Sequence, residues 1–290
     1  MKEFVDRHLK WFFSLPAMIF MIIMVAFPVL GTFGMSLTDF NFLRGKATFI
    51  GFQNYSAMLQ NGAFWDSVRI TFYYTFLVLI GQMILGMIIA LILNEDFRGK
   101  NAVKTIILLP FMMAPLAVGL MWSLFYEPSS GIMNYFFRCI GLPASSFVSA
   151  KDSVVPSIAA VEIWQNTPIV VIILLAALSS MPNDPLEAAK VDGANVFQTF
   201  FYVKLPFLTP TIFSCALLRF VDTFRQFDLI YALSLGGPDN ASRTLSLFGY
   251  ELAFSYSKFG EASTALTLLF LMILIISIVV LRLRGLGVTD

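Results

Sequence analysis

The stretch ITFYYTFLVLIGQMILGMIIALILN, from Ile70 to Asn94, contains no charged side chain. An α-helix rises about 1.5 Å per residue, so about 20 such residues cross the ~30 Å hydrocarbon layer of a bilayer. Four further uncharged stretches have the required length. One begins at Trp11, and the others run from Thr105 to Tyr126, from Ile163 to Asn183 and from Ala262 to Leu281. A sixth, from near Leu205 to near Leu233, is apolar but carries charges. Backbone polar groups have no water to bond with in lipid, so each stretch reads as a helix. The expected fold is an all-α integral membrane protein of about six transmembrane helices, over roughly 11–36, 69–94, 104–126, 154–179, 205–232 and 261–283. No polar segment is long enough to hold a soluble domain, so residues 1–290 read as one membrane domain.

Composition agrees with lipid as the solvent. The chain is 58% hydrophobic and 13% charged, against about 25% charged in an ordinary soluble domain. A net charge of +1 excludes a strongly basic nucleic-acid surface. Cys139 and Cys215 are too few for a disulfide framework and fit no zinc spacing. His8 is the only histidine, which argues against histidine catalysis or a metal centre. The N-terminal apolar run is longer than a cleavable signal core, so it reads as a retained span.

Loop charges give an orientation. With the N-terminus inside, the inner segments hold Lys2, Arg7, Lys10, Arg98, Lys100, Lys104, Lys190, Lys204, Arg282 and Arg284. The outer loops hold Arg44, Lys46, Arg69, Arg138, Lys151, Arg243 and Lys258. Both termini are therefore expected in the cytoplasm, which requires an even number of spans. Prolines within or beside the spans, such as Pro110, Pro115, Pro168 and Pro210, kink membrane helices without abolishing them.

The inner loop between spans four and five, 183–206, has its own local structure. Leu186 to Asp192 reads as a short helix, with Pro185 in its first turn and Asn183 or Asp184 as its cap. Gly193 supplies the left-handed residue that ends it. Asn195 then caps a second helix that runs to Pro206. Ala188 and Ala189 leave room for a close partner.

Glu187-Ala188-Ala189, then Gly193, then Val203-x-Leu205-Pro206 resembles the EAA loop of ABC importer permeases, with Val203 where the family usually has isoleucine. The resemblance extends along most of the chain. It includes Phe49-Ile50-Gly51-Phe52-Gln53-Asn54-Tyr55, Leu108-Leu109-Pro110, Leu235-Gly236-Gly237-Pro238 and Phe259-Gly260-Glu261-Ala262-Ser263. These stretches resemble binding-protein-dependent carbohydrate permeases of the maltose and glycerol-3-phosphate type, and the first-subunit form in particular.

The resemblance implies a multi-pass protein of the bacterial cytoplasmic (inner) membrane. It would pair with a second permease subunit, most often as a heterodimer. Two cytoplasmic ATPase subunits would supply energy and an external binding protein would deliver a sugar or sugar-like solute. Glu187, Ala188, Ala189, Gly193, Leu205 and Pro206 would form the ATPase-coupling element. The chain has no phosphate-binding Gly-x-x-x-x-Gly-Lys-Ser/Thr loop. It is therefore expected to be no enzyme and to bind no cofactor of its own, with ATP and Mg²⁺ used by the ATPase.

Span five carries Arg219, Asp222, Arg225 and Asp228, spaced three apart, with Gln226 close to the same stripe. Charges inside a membrane face protein or water. Counting from Pro206, Arg219 lies roughly 20 Å up the helix. Glu162, descending in span four, reaches a similar depth and is followed by Trp164, Gln165 and Asn166. These residues either pair internally or line a polar solute path, with Trp164 packing against a sugar ring. A secondary transporter, or a structural membrane subunit without its own ATPase partner, would also have spans and buried charges. Neither accounts for the EAA spacing. A membrane enzyme would need a histidine cluster, paired aspartates or a Ser–Lys arrangement, none of which is recognisable.

Overall fold

The computed structural model describes residues 13–286, with side chains to residue 282. Trp11, the expected start of span one, lies outside the described residues with Lys2, Arg7, His8 and Lys10, as does the side chain of Arg284. Among the described residues the chain is almost wholly helical, with two isolated antiparallel bridges and no named strand. Five helices are long and apolar enough to cross a membrane, or six where a sharply bent pair is counted as one broken span. The chain forms two compact bodies, one from residues up to Trp65 with Phe248–Leu271, the other from Asp66–Leu247 with residues from Met272 onward.

In the first body, helix α1 (Phe13–Ser36) contains one wide π-type turn at Ile22–Ala26. A short helix, α2 (Gln53–Leu59), follows. The Nδ2 group of Asn54 donates to the carbonyls of Ser36 (2.9 Å) and Thr38 (2.8 Å), at the end of α1. The Ser36 hydroxyl meets the Tyr55 hydroxyl at 2.7 Å, and Thr264 Oγ1 donates to the Ser36 carbonyl at 3.2 Å. The last carbonyls of a helix have no partner within it, so these side chains supply one. Gly260 completes this body: its N–H donates to the Phe40 carbonyl, and a Cβ there would collide with the Thr38 carbonyl. The Asn54-Tyr55 and Phe259-Gly260 stretches thus act on the same short length of backbone.

The second body is built on helix α3 (Gly62–Asn94), which leads into it from the first. The third apolar stretch, expected as one span, is not one rod. It consists of α4 (Lys100–Leu108), a single 3₁₀ turn at Pro110–Met112 and α5 (Pro115–Phe125), with a 95° bend between the two limbs. Pro115 disfavours helical geometry in the residue before it, and both Met113 and Ala114 are extended. After α6 (Ile132–Cys139) comes α7 (Lys151–Ser179), a straight-through helix despite Pro156 and Pro168. Gly81 and Gly86 bring α3 against α7, because a Cβ at either position would strike Ile163 or Val170. Ala90, Leu93, Val170, Leu174, Leu208 and Cys215 fill the core beside that contact.

Helix α8 (Asp184–Val191) lies in the loop after α7. Helix α9 (Val196–Phe224) then runs through the position expected as its end. Pro206 does not stop it because Phe200–Lys204 forms a π-type turn, in which the Leu205 N–H bonds the Phe200 carbonyl. The wider turn makes room where a proline ring would meet the carbonyl four residues back. The helix ends at Phe224, earlier than the sequence suggested, and α10 (Asp228–Ser234) restarts after a break. Gly119 on α5 accepts Ala232 of α10 at close range. Two further helices complete the chain, α11 (Leu245–Tyr250) and α12 (Phe259–Leu286).

Candidate functional site

The span-five charges, expected either to pair or to line a solute path, pair with one another and with Glu162, and they recruit a residue the sequence did not single out. Arg219 and Glu162 have side chains 5% and 3% exposed, and Arg219 Nη2 meets Glu162 Oε1 at 3.0 Å. Arg219 Nε donates to Gln82 Oε1 at 2.9 Å, and Gln82 Nε2 donates to the backbone carbonyl of Glu162 at 3.1 Å. Gln82 therefore ties α3 to both α7 and α9 through one amide. Its only sequence signal is an amide in the middle of an otherwise apolar span. Arg219 Nη1 also reaches Asp222 at 3.5 Å, Asp222 takes Arg225 at 2.8 Å, and Gln226 donates to the second oxygen of Glu162 at 3.2 Å. An ion pair buried this deeply needs its remaining donors and acceptors filled, and the two glutamines fill them.

One side of this cluster opens into a cleft of about 390 Å³. Asn166, Asp222, Arg225, Gln226 and Asp228 line it beside Glu162 and Arg219, and Phe111, Pro115 and Phe227 form apolar walls. Asp222 and Arg225 are partly exposed into it, whereas Arg219 forms its floor. The arrangement offers hydrogen-bond donors and acceptors next to aromatic faces, suited to a hydroxyl-rich solute.

Two of the sequence candidates lie elsewhere. Trp164 is two residues from Glu162 on α7 and so points to another side of the helix. It packs edge-to-face against Trp122 at 5.6 Å and lines a separate apolar pocket with Leu85, Ile107 and Pro110. Gln165 is buried and donates to the Met113 carbonyl at 3.0 Å. It thereby satisfies a backbone group freed by the bend between α4 and α5.

The loop residues are arranged as follows. Pro185 lies in the first turn of α8, Glu187 and Ala188 are exposed, and Ala189 is buried. Gly193 has φ +75°, a conformation only glycine adopts without cost, so it allows the reversal between the helices. Asn195 forms a full capping box: its side chain accepts from the Gln198 N–H, and Gln198 Oε1 accepts from its own N–H. Leu205 and Pro206 follow the π-type turn within α9. Val191, Val196, Phe197 and Tyr202 are exposed around this reversal. On the neighbouring surface Lys204 lies 3.8 Å from Glu95 at the end of α3.

Comparisons with known proteins agree with this architecture. A trehalose/maltose transport system permease protein, MalF, from Thermococcus litoralis is 33% identical over 284 residues, covering 97% of this chain and 95% of that one. A multiple sugar-binding transport system permease protein, MsmF, from Streptococcus mutans is 29% identical over 97% of both chains. In fold, the chain resembles a subunit of a bacterial ABC transporter involved in the import of the acidic polysaccharide alginate. The TM-score is 0.86, with 24% identity and 99% of each chain covered. The family model for the inner membrane component of binding-protein-dependent transport systems matches residues 82–286, which include both the α8 loop and the Gln82–Glu162–Arg219 cluster. The chain belongs to that family: it is a multi-pass inner membrane permease component of a binding-protein-dependent ABC transport system.

Proposed function

We propose that this chain forms, with a second permease subunit, the membrane pathway of an ATP-driven importer for a sugar or sugar-like solute. An external binding protein delivers the solute, and two cytoplasmic ATPase subunits use ATP and Mg²⁺. The chain hydrolyses nothing itself. The observation that carries this reading is the continuity of α9. One helix, Val196–Phe224, begins at the capping box beside α8 and ends at the cleft floored by Arg219. Twenty-nine residues of helix span roughly 40 Å. A displacement of the α8 loop by an ATPase would therefore reach Arg219 and Asp222 without crossing a flexible joint.

In this reading α8 seats on the ATPase. Glu187 provides a polar contact, Ala188 and Ala189 permit close approach, and Gly193 sets the angle between α8 and α9. Leu205 and Pro206 mark where α9 enters the membrane, and both termini lie on the ATPase side. Residues 1–290 act as one permease domain. The cleft meets the solute through Asn166, Asp222, Arg225 and Gln226, with the Phe111 and Phe227 rings against its apolar faces. The sugar assignment rests on the relatives named above and on this mixture of polar groups and rings.

The test is uptake by proteoliposomes containing the permease pair, the ATPase and the binding protein. Glu187→Lys and Gly193→Val should both leave membrane insertion intact but abolish ATPase association and uptake. Solute-stimulated ATP hydrolysis at the wild-type rate in both variants would exclude the coupling role.

A further inference from the structure

A second feature, independent of transport, lies between α5 and α7. The short helix α6 has apolar residues on both sides. Its inner side is fixed to the protein. Asn134 is buried and donates to the carbonyls of Pro128 (3.0 Å) and Ser145 (2.9 Å), while its oxygen accepts from the Ser145 N–H at 2.9 Å. Phe137 packs on Phe147, which stacks on Tyr126 at the end of α5 with ring centroids 4.6 Å apart. Glu127 ties down the connecting turn by accepting from the N–H and hydroxyl groups of Ser129 and Ser130.

The other side carries a row at helical spacing: Ile132, Tyr135, Phe136, Cys139 and Ile140. All five are exposed, Ile140 to 70% and Tyr135 to 59%. An apolar row held rigidly outward marks a surface that is covered in the working protein. Two observations identify the cover. First, the connection 126–150 that carries α6 runs from the end of α5 to the start of α7, so it joins the ends of two membrane-crossing limbs. Second, α5 has its own outward apolar row, Leu116, Leu120 and Leu124, which leads to this turn. The row on α6 thus continues an exposed apolar surface along a membrane-crossing limb. The chemistry is that of an interfacial helix: Tyr and Phe on the apolar row, the exposed cation Arg138 beside them and no acidic residue on α6.

We propose that α6 lies in the membrane interface on the face opposite the α8 loop, with Ile132, Tyr135, Phe136, Cys139 and Ile140 among phospholipid at the boundary of headgroups and acyl chains. There it anchors the outer end of the bent third span, whose 95° break leaves α5 without a straight helix to fix its depth.

Cys139 provides the probe. Cys215 is buried and can be replaced by alanine, leaving one thiol. A nitroxide is attached to Cys139 of the Cys215→Ala chain. The chain is assembled with cysteine-free partner subunits in nanodiscs of phosphatidylethanolamine and phosphatidylglycerol. Power saturation then compares collisions with oxygen and with a water-soluble nickel chelate. The expected result is dominance of oxygen, at a depth of roughly 5–10 Å. A nitroxide at Ile132→Cys in the thiol-free chain should read the same. Nickel collisions as frequent as at Ser146→Cys, an exposed position on the same loop, would overturn the proposal. So would shielding from both reagents, which would mean that a protein subunit covers the row.

Discussion

Replacing Arg219 by methionine tests the buried cluster most directly. The substitution keeps the aliphatic stem but removes the guanidinium that bonds Glu162, Gln82 and Asp222. Asp222 retains Arg225 at 2.8 Å and stands at the cleft, so it loses little. Glu162 is 3% exposed and keeps only the 3.2 Å bond from Gln226 among the side-chain bonds described above. Breaking one side of a buried pair costs about 3–5 kcal/mol. At about 2–4 °C per kcal/mol for chains of this size, the unfolding midpoint should fall by roughly 6–20 °C. Adding Glu162→Met removes the stranded carboxylate. The double variant should then recover all but about 1–3 kcal/mol, the cost of leaving Gln82 Oε1 without its donor. The assay is thermal unfolding in nanodiscs, read by a thiol-reactive dye at buried Cys215 in a Cys139→Ala background. An Arg219→Met protein that melts with the wild type would refute the pairing. So would a double variant as unstable as the two single effects added together, because independent sites add and a broken pair does not.

Two further predictions concern other parts of the chain. Asn54→Leu removes both bonds to the end of α1 while Thr264 still reaches the Ser36 carbonyl, so it should cost about 1–3 kcal/mol. Asn54→Asp should cost more, because it sets a carboxylate against two carbonyl oxygens. Faster amide exchange over residues 37–50, ordered wild type, leucine, aspartate, is the expected readout; an identical rate in all three would refute it. The Glu127 carboxyl is held down to about 2 from 4.5, chiefly by the Ser130 N–H and the Ser129 hydroxyl. Its folded-state pKa is depressed, so its contribution is complete above 4.5 and lost as pH falls towards about 2. Protection of the Ser129 and Ser130 amides should fade over that acid window in the wild type. In Glu127→Gln it should be weak at every pH, and wild-type protection in that variant would exclude the capping role.

The sequence was most informative where a single residue determines local geometry. Gly193 and Asn195 mark the α8–α9 reversal because a left-handed turn and a capping box depend on residues within a few positions of each other. The apolar stretches were equally plain, since twenty uncharged residues have few alternatives in lipid. The depth match of Glu162 and Arg219 followed from helix rise alone. What escaped the sequence depends on contacts between distant segments. Gln82 is one amide in an apolar helix, and its importance comes from two helices 80 and 137 positions away. The 95° break at Met113–Ala114 is stabilised by Gln165, 52 positions on, so Pro115 alone could have indicated a mild kink. Pro206 looked like a helix end because a proline in an ordinary helix removes a bond and crowds a carbonyl. The π-type turn before it removes the crowding, and nothing in Phe200–Lys204 announces such a turn.

The charges of α9 can be explained without treating them as a source of stability. A well-packed apolar trio at positions 82, 162 and 219 would cost less to bury than an ion pair held by an amide. What the polar cluster adds is direction. Each bond from Arg219 has one acceptable acceptor, so α3, α7 and α9 can meet there in only one register, whereas apolar side chains would tolerate sliding. Sliding matters most in a helix that carries motion along its length. If α9 transmits a push from the α8 loop, the push must not dissipate as slippage against its neighbours before it reaches the cleft. A point lock near the far end prevents that. It also places the half-buried Asp222 and Gln226 and the exposed Arg225 within one or two turns of the locked residue, at the break between α9 and α10, where a small rotation changes their reach into the cleft most. On this argument Gln82→Leu should separate the two roles. Solute-stimulated ATP hydrolysis should outrun uptake, because the loop still moves while the cleft follows loosely. A fall of both in the same proportion would mean that the lock serves folding alone.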